Sequence, residues 1–140
     1  MNYISTRGLA PVLDFEGATL SGLARDGGLY VPETFPQISH QELIALRGKP
    51  YADVAFAIVS KFTDGSIPNV ELRKMIDAAY ATFHHPATTP LKQLAPNQYL
   101  LELFHGPTIA FKDVAMQLLS RMMDWSLRSE EHTSELQSLV

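Results

Sequence analysis

The chain of 140 residues has no cysteine, so disulfides and thiolate chemistry are excluded. No apolar run approaches the length that spans a bilayer, and the N-terminus lacks a basic segment followed by a hydrophobic core. The chain is therefore expected to be soluble and cytoplasmic, with no secretory signal and no membrane partner. The formal net charge is −4, with no basic run and no basic helix face. Nucleic acid is excluded as an expected partner, because phosphate-backbone binding depends on clustered Lys and Arg. The eight glycines are scattered, and Gly27-Gly28 is the one adjacent pair. A glycine-rich run of backbone donors, the usual cradle for a cofactor phosphate, is thus missing. His84-His85-Pro86 has neither a cysteine nor a His-x-x-x-His spacing beside it and reads as a surface turn, so no metal site is expected.

What is present is the composition of a globular protein: 46% hydrophobic and 19% charged residues, in a length that suits one ordinary domain or two small ones. Residues 2–6 suit a short strand ended by Arg7-Gly8. Residues 15–25 carry Phe15, Ala18, Leu20 and Leu23 at roughly helical spacing, and Asp26-Gly27-Gly28 reads as the cap and turn that stop them. Leu29-Tyr30-Val31 is extended. Ser39-His40-Gln41-Glu42 matches a capping box, with a short helix expected to Arg47 and closed by Gly48. Residues 51–62 place Val54, Ala55, Ile58, Val59 and Phe62 on one helical face, ended by Asp64-Gly65. Asn69 suits an N-cap for a helix over 70–83, whose apolar face is Leu72, Ile76, Ala79, Tyr80 and Phe83. The first half is expected to be a compact helical unit with little sheet.

Residues 87–93, with paired threonines and Pro90, mark a boundary. Beyond it the stretch 101–119 is expected to form a buried strand over 99–104, a turn at Gly106-Pro107, and a helix with Phe111, Val114, Ala115, Leu118, Met122 and Trp125 on one face. Strand, turn and helix in that order predict the opening of an α/β unit that would normally continue into a parallel sheet. Lys112 stands in the first turn of that helix, between Ile109-Ala110-Phe111 and Val114-Ala115-Met116. Burial and the positive end of a helix both disfavour an ammonium there, while Asp113 pulls the other way. A lysine held as free amine is a nucleophile toward carbonyls, the chemistry of Schiff-base formation. A lysine that snorkels to solvent or pairs with Asp113 is the alternative.

The wording Leu101-Glu102-Leu103-Phe104-His105-Gly106-Pro107-Thr108, then Ile109, then Ala110-Phe111-Lys112-Asp113, resembles the lysine-bearing signature of threonine synthases, pyridoxal-phosphate (PLP) enzymes of the tryptophan-synthase-β-like fold type II. Gly22 to Pro32 (Gly-Leu-Ala-Arg-Asp-Gly-Gly-Leu-Tyr-Val-Pro) and Tyr3-Ile4-Ser5-Thr6-Arg7-Gly8 resemble that family's N-terminal signatures. The resemblance covers residues 3–127. It implies an α/β protein: a mostly helical N-terminal unit over 1–86, then the truncated beginning of a PLP-binding α/β domain over 87–127.

It also implies a reaction. PLP would form a Schiff base with Lys112, the small-molecule substrate would be O-phospho-L-homoserine, and phosphate loss followed by water addition would give L-threonine. Phe111 and Asp113 would support Lys112 at the cofactor, and His105 and Thr108 would offer polar groups to the substrate. The family's phosphate-binding loop and the partner of its pyridine nitrogen lie further along a much longer chain, so this segment is expected to be inactive alone. Two other readings stay open: another fold-type-II enzyme such as a threonine dehydratase or a tryptophan synthase β relative, and a non-catalytic relative that binds a phosphorylated ligand.

Residues 128–140 depart from the family pattern and have no apolar face. Arg128 to Ser138 resembles an in-frame translation of a sequencing-library adapter, and it carries −2 of the formal charge. It is expected to be a non-native tail.

Overall fold

Period-two burial organises the N-terminal edge. The structure, a computed structural model, describes residues 1–139, and strand β1 (Tyr3–Ser5) buries Tyr3 and Ser5 on either side of Ile4. It pairs antiparallel with β2 (Tyr30–Pro32), with Ser5 opposite Tyr30 and Tyr3 opposite Pro32. Between them lies helix α1 (Phe15–Ser21), where the Asp14 carboxylate accepts the Gly17 N–H. The helix ends at Gly22, earlier than the apolar spacing over 15–25 predicts. Gly22 has a φ of 67°, and Leu23 then leaves the helix to bridge Leu29.

The two N-terminal signature stretches meet at one carboxylate. Asp26 accepts the Ser5 hydroxyl at 2.7 Å and the backbone N–H groups of Leu9 and Gly28 at 2.9 Å each. The Ser5 hydroxyl foremost, and then these amides, hold its carboxyl below the usual range despite its partial burial. Gly28 is buried there, and a Cβ on it would come within 3.0 Å of both Asp26 Oδ1 and Thr6 Oγ1. Asp26-Gly27-Gly28 is therefore a turn tied to β1.

Helix α2 (His40–Ala45) starts on a complete capping box: Glu42 N–H donates to Ser39 Oγ at 3.2 Å, and Ser39 N–H to Glu42 Oε2 at 2.6 Å. Helix α3 (Tyr51–Thr63) closes on Asp64, whose φ of 47° is the left-handed cap that the Asp64-Gly65 pair suggests. Helix α4 (Asn69–Tyr80) is capped by Pro68 rather than by Asn69, which is its first helical residue and makes no side-chain capping bond. A proline needs no N–H partner at that edge and presets the backbone.

α4 is the centre of the core. Leu72, Ile76 and Ala79 are fully buried on its face, joined by Ile67 and Met75 and by Leu118 and Met122 of helix α5 (Asp113–Ser138). Both α3 and α5 pack against α4, and α1 touches α5. The Tyr80 hydroxyl donates to the Val114 carbonyl at 3.0 Å, tying the end of α4 to the start of α5.

Strands β3 (Leu91–Ala95) and β4 (Gln98–Leu101) form an antiparallel hairpin around the Pro96-Asn97 turn, with Asn97 at φ 59°. Three expectations change here. The strand is short and exposed, not buried over 99–104, and its partner lies in a stretch read as boundary. Lys112 precedes α5 instead of lying in its first turn. α5 runs on through the stretch set aside as a tail, whose residues are almost all exposed. The mixture of helices with small sheets is consistent with the α/β class that the sequence predicts, with both sheets two-stranded and antiparallel, and no described helix is long and apolar enough to cross a membrane.

Candidate functional site

The segment from Glu102 to Asp113 leaves the hairpin and reaches α5 through a turn held by its own side chains. Glu102 N–H donates to the Pro90 carbonyl at 2.9 Å, and the His105 carbonyl accepts the His84 N–H at 2.8 Å. The chain is thus pinned at both ends of the 84–90 turn. Glu102 and His105, three residues apart, meet side chain to side chain at 3.0 Å (Oε1 to Nε2), and the His85 ring lies against His105 with centroids 4.8 Å apart. His105, which the resemblance offers to the substrate, has Glu102 and His85 beside it. Neither was singled out in the sequence, where His85 reads as an ordinary turn residue.

Asp113 is the hub of the turn. It is 3% exposed, and its Oδ2 accepts both the Thr108 N–H at 2.9 Å and the Thr108 hydroxyl at 2.8 Å, while Gln117 donates to Oδ1 at 3.3 Å. Burial pushes this carboxyl up, but the Thr108 hydroxyl and amide, Gln117 and the Ile109 amide together outweigh it and hold it below the usual carboxylate range. Gly106 is buried against the same side chain, so close that a Cβ on it would lie 2.7 Å from Asp113 Cγ. The Thr108 hydroxyl offered to a substrate by the resemblance already has a partner in the chain. Gln117, one helical turn beyond Asp113, is a member that sequence spacing could have found.

Ile109 stands at φ 66°, a left-handed backbone that a β-branched residue seldom adopts. Its N–H donates to the Gly106 carbonyl at 3.1 Å. Lys112 follows three residues later and is exposed, not buried as its apolar neighbours in sequence predict, so the solvent-facing alternative holds and burial does not bear on its amine; its carbonyl accepts the N–H groups of Ala115 and Met116. It neither pairs with Asp113 nor makes an ion pair with any other described residue. Phe111, also exposed, flanks it.

This arrangement fits one end of PLP. A solvent-facing primary amine on an ordered turn suits an aldehyde. The start of α5 does not suit the phosphate, because the N–H groups of residues 113–116 already donate to the carbonyls of Ala110, Phe111 and Lys112. Among the described residues no group of three or more His, Asp and Glu side chains could hold a metal ion.

Comparisons with known proteins bear on the family to which the motifs belong. The chain is 51% identical over 124 residues to a threonine synthase of Pseudomonas aeruginosa and 45% identical over 128 residues to that of Schizosaccharomyces pombe. These alignments cover 89% and 91% of the chain but only 26% and 25% of those proteins, so it spans about a quarter of their length. Its fold is similar to a crystal structure described as PLP-bound threonine synthase from Brucella melitensis, with a TM-score of 0.90 and 56% identity over 94% of this chain and 28% of that one. The yeast threonine synthase structure gives a TM-score of 0.83 at 39% identity, covering 92% of this chain and 27% of that one. The sequence model for the threonine synthase N terminus matches residues 2–80, more than half of the chain, and the chain belongs to that family.

Proposed function

We propose that this chain is the N-terminal portion of a PLP-dependent threonine synthase, a lyase that converts O-phospho-L-homoserine and water to L-threonine and phosphate in the cytoplasm. Lys112 is the residue that binds the cofactor aldehyde and, once released, moves the substrate's protons at its Nζ. The observation that carries this is the amine itself: solvent-facing, without an ion-pair partner among the described residues, on a turn whose every other polar side chain is engaged. PLP, when bound, supplies the electron sink. The chain's own share is orientation. Phe111 is the exposed ring next to Lys112 in the chain, Asp113 fixes the turn behind it, and His105 and Thr108, now held by Glu102 and Asp113, are the groups the resemblance offers to the substrate.

We divide the chain at residue 86: residues 1–86 form the N-terminal unit, residues 87–127 begin the cofactor domain, and residues 128–140 are a non-native tail. What supports the division is that the hairpin pairs with itself and leaves its apolar side chains uncovered, while α5 packs back across the boundary onto α4. The phosphate cradle lies outside this segment, so the segment alone makes no threonine.

The experiment uses the complete reading frame. Phosphate should be released from O-phosphohomoserine, and Lys112→Ala should abolish it, a loss of at least about 10³-fold for removal of a covalent catalyst. Turnover of serine or threonine instead would place the protein with the dehydratases, and inertness with intact binding of a phosphorylated ligand would make it a non-catalytic relative. Borohydride reduction with PLP, followed by peptide mapping, should find the pyridoxyl label on Lys112. A label on another lysine sinks the assignment.

A further inference from the structure

We propose that Asp113 is a positioning residue that never touches the cofactor: through Thr108 it clamps the turn 106–112 in the conformation that presents the Lys112 amine. This rests on Lys112 being the reactive amine. The side chain of Asp113 is buried behind the turn, and both oxygens are engaged within the chain, Oδ2 by the Thr108 amide and hydroxyl and Oδ1 by Gln117. The clamp is closed on its far side by Gly106, the one residue type that lets the backbone lie against that carboxylate.

The turn needs a clamp because Ile109 opposes it. A left-handed β-branched residue is disfavoured by its own Cβ, so without an external tie the segment relaxes to ordinary backbone and carries Lys112 with it. The Asp113–Thr108 bonds span Ile109, from one residue before it to four after it, and are the side-chain ties that hold it. Lys112 sits between Ile109 and the anchored Asp113, so a change at φ of Ile109 swings its side chain relative to α5.

The test is hydrogen exchange and pyridoxyl labelling in the complete protein. Asp113→Ala should speed exchange of the Thr108 and Ile109 amides by about tenfold or more, leave α3 and α4 amides unchanged, and slow borohydride-trapped labelling of Lys112 by a similar factor. Its kcat should fall with little change in KM. Adding Ile109→Gly should restore much of the labelling rate, because glycine takes the left-handed backbone without a clamp. A carboxylate that contacts the cofactor could not be rescued in this way, so failure of rescue overturns the proposal. So does unchanged exchange at Thr108 and Ile109. Should Asp113→Ala not fold, Thr108→Val removes the hydroxyl donor alone and should shift both readouts the same way by a smaller factor. A label on another lysine in the unsubstituted protein defeats the parent reading instead, and is told apart because it needs no variant.

Discussion

Gly106 is the residue whose substitution tests the geometry of the turn most directly. It has no left-handed φ to protect; its constraint is space, since an added methyl would overlap the Asp113 side chain. Gly106→Ala should therefore destabilise the chain by about 1–3 kcal/mol, the usual cost of forcing a group into a filled site. The check is the denaturant midpoint at unchanged slope. If the overlap with Asp113 is the cause, then Asp113→Gly, which removes the Cβ nearest to the added methyl as well as the carboxylate, opens the space, and the double variant should lose less than the two single losses added together. Strict additivity would mean that the glycine is needed for some other reason. The same closeness shows why the turn could not be read from sequence. Gly106-Pro107 reads as a turn in any context, and nothing in the residue types says that a buried carboxylate seven positions on fills the space beside the glycine.

At the level of elements, α2 is held by charge more than by burial, since none of its residues is buried. Its Glu42 accepts Lys61 of α3 at 2.6 Å and the Ser39 amide of its own cap, and these bonds, Lys61 first, lower its carboxyl from 4.5 to about 2. A carboxyl depressed by folding stabilises the native state above its ordinary pKa and loses that contribution as pH falls through the folded one. The unsubstituted chain should thus melt above Glu42→Gln at pH 5, and the gap should close as pH falls toward 2. Added salt should narrow it too, because the pair is solvent-exposed. A gap that is constant with pH would remove the ion pair as its cause. The capping box and the apolar stripes of α3, α4 and α5 were legible because each is a local repeat with one geometric solution. β3 was not. Leu-Lys-Gln-Leu-Ala has no β-branched or aromatic residue, and it becomes a strand by pairing with Gln98–Leu101 across a turn that Asn97 makes tight. Likewise α5 outruns its apolar stripe: Arg128 pairs with Asp124 one turn back, and the residues beyond follow the helix with almost no burial.

On the scale of the whole molecule, the apolar surface is unevenly covered. An exposed apolar face on the last helix is what a free-standing 111–125 stripe predicts, but Leu118 and Met122 are buried against α4. Much of the uncovered apolar surface lies on the hairpin and the turn that follows, in Leu91, Leu94, Tyr99, Leu101, Ile109 and Phe111. Both faces of the hairpin are exposed, so these side chains are apolar surface that contact with another molecule would cover. Two-stranded hairpins also leave both outer edges free to pair, which adds a backbone route to self-association. The 140-residue chain should therefore gain apparent mass with concentration in light scattering. Leu91 and Leu101 stand directly opposite each other in the register, so replacing them together by Lys and Glu places opposite charges on a cross-strand pair and preserves the hairpin. That double variant should scatter as a monomer, whereas a chain ended after Leu127 should associate as the unsubstituted one does, since the hairpin is untouched. A chain that stays monomeric at every concentration would mean that the patch is too small to drive contact. Association lost on removal of residues 128–140 would move the sticky surface to the end of α5.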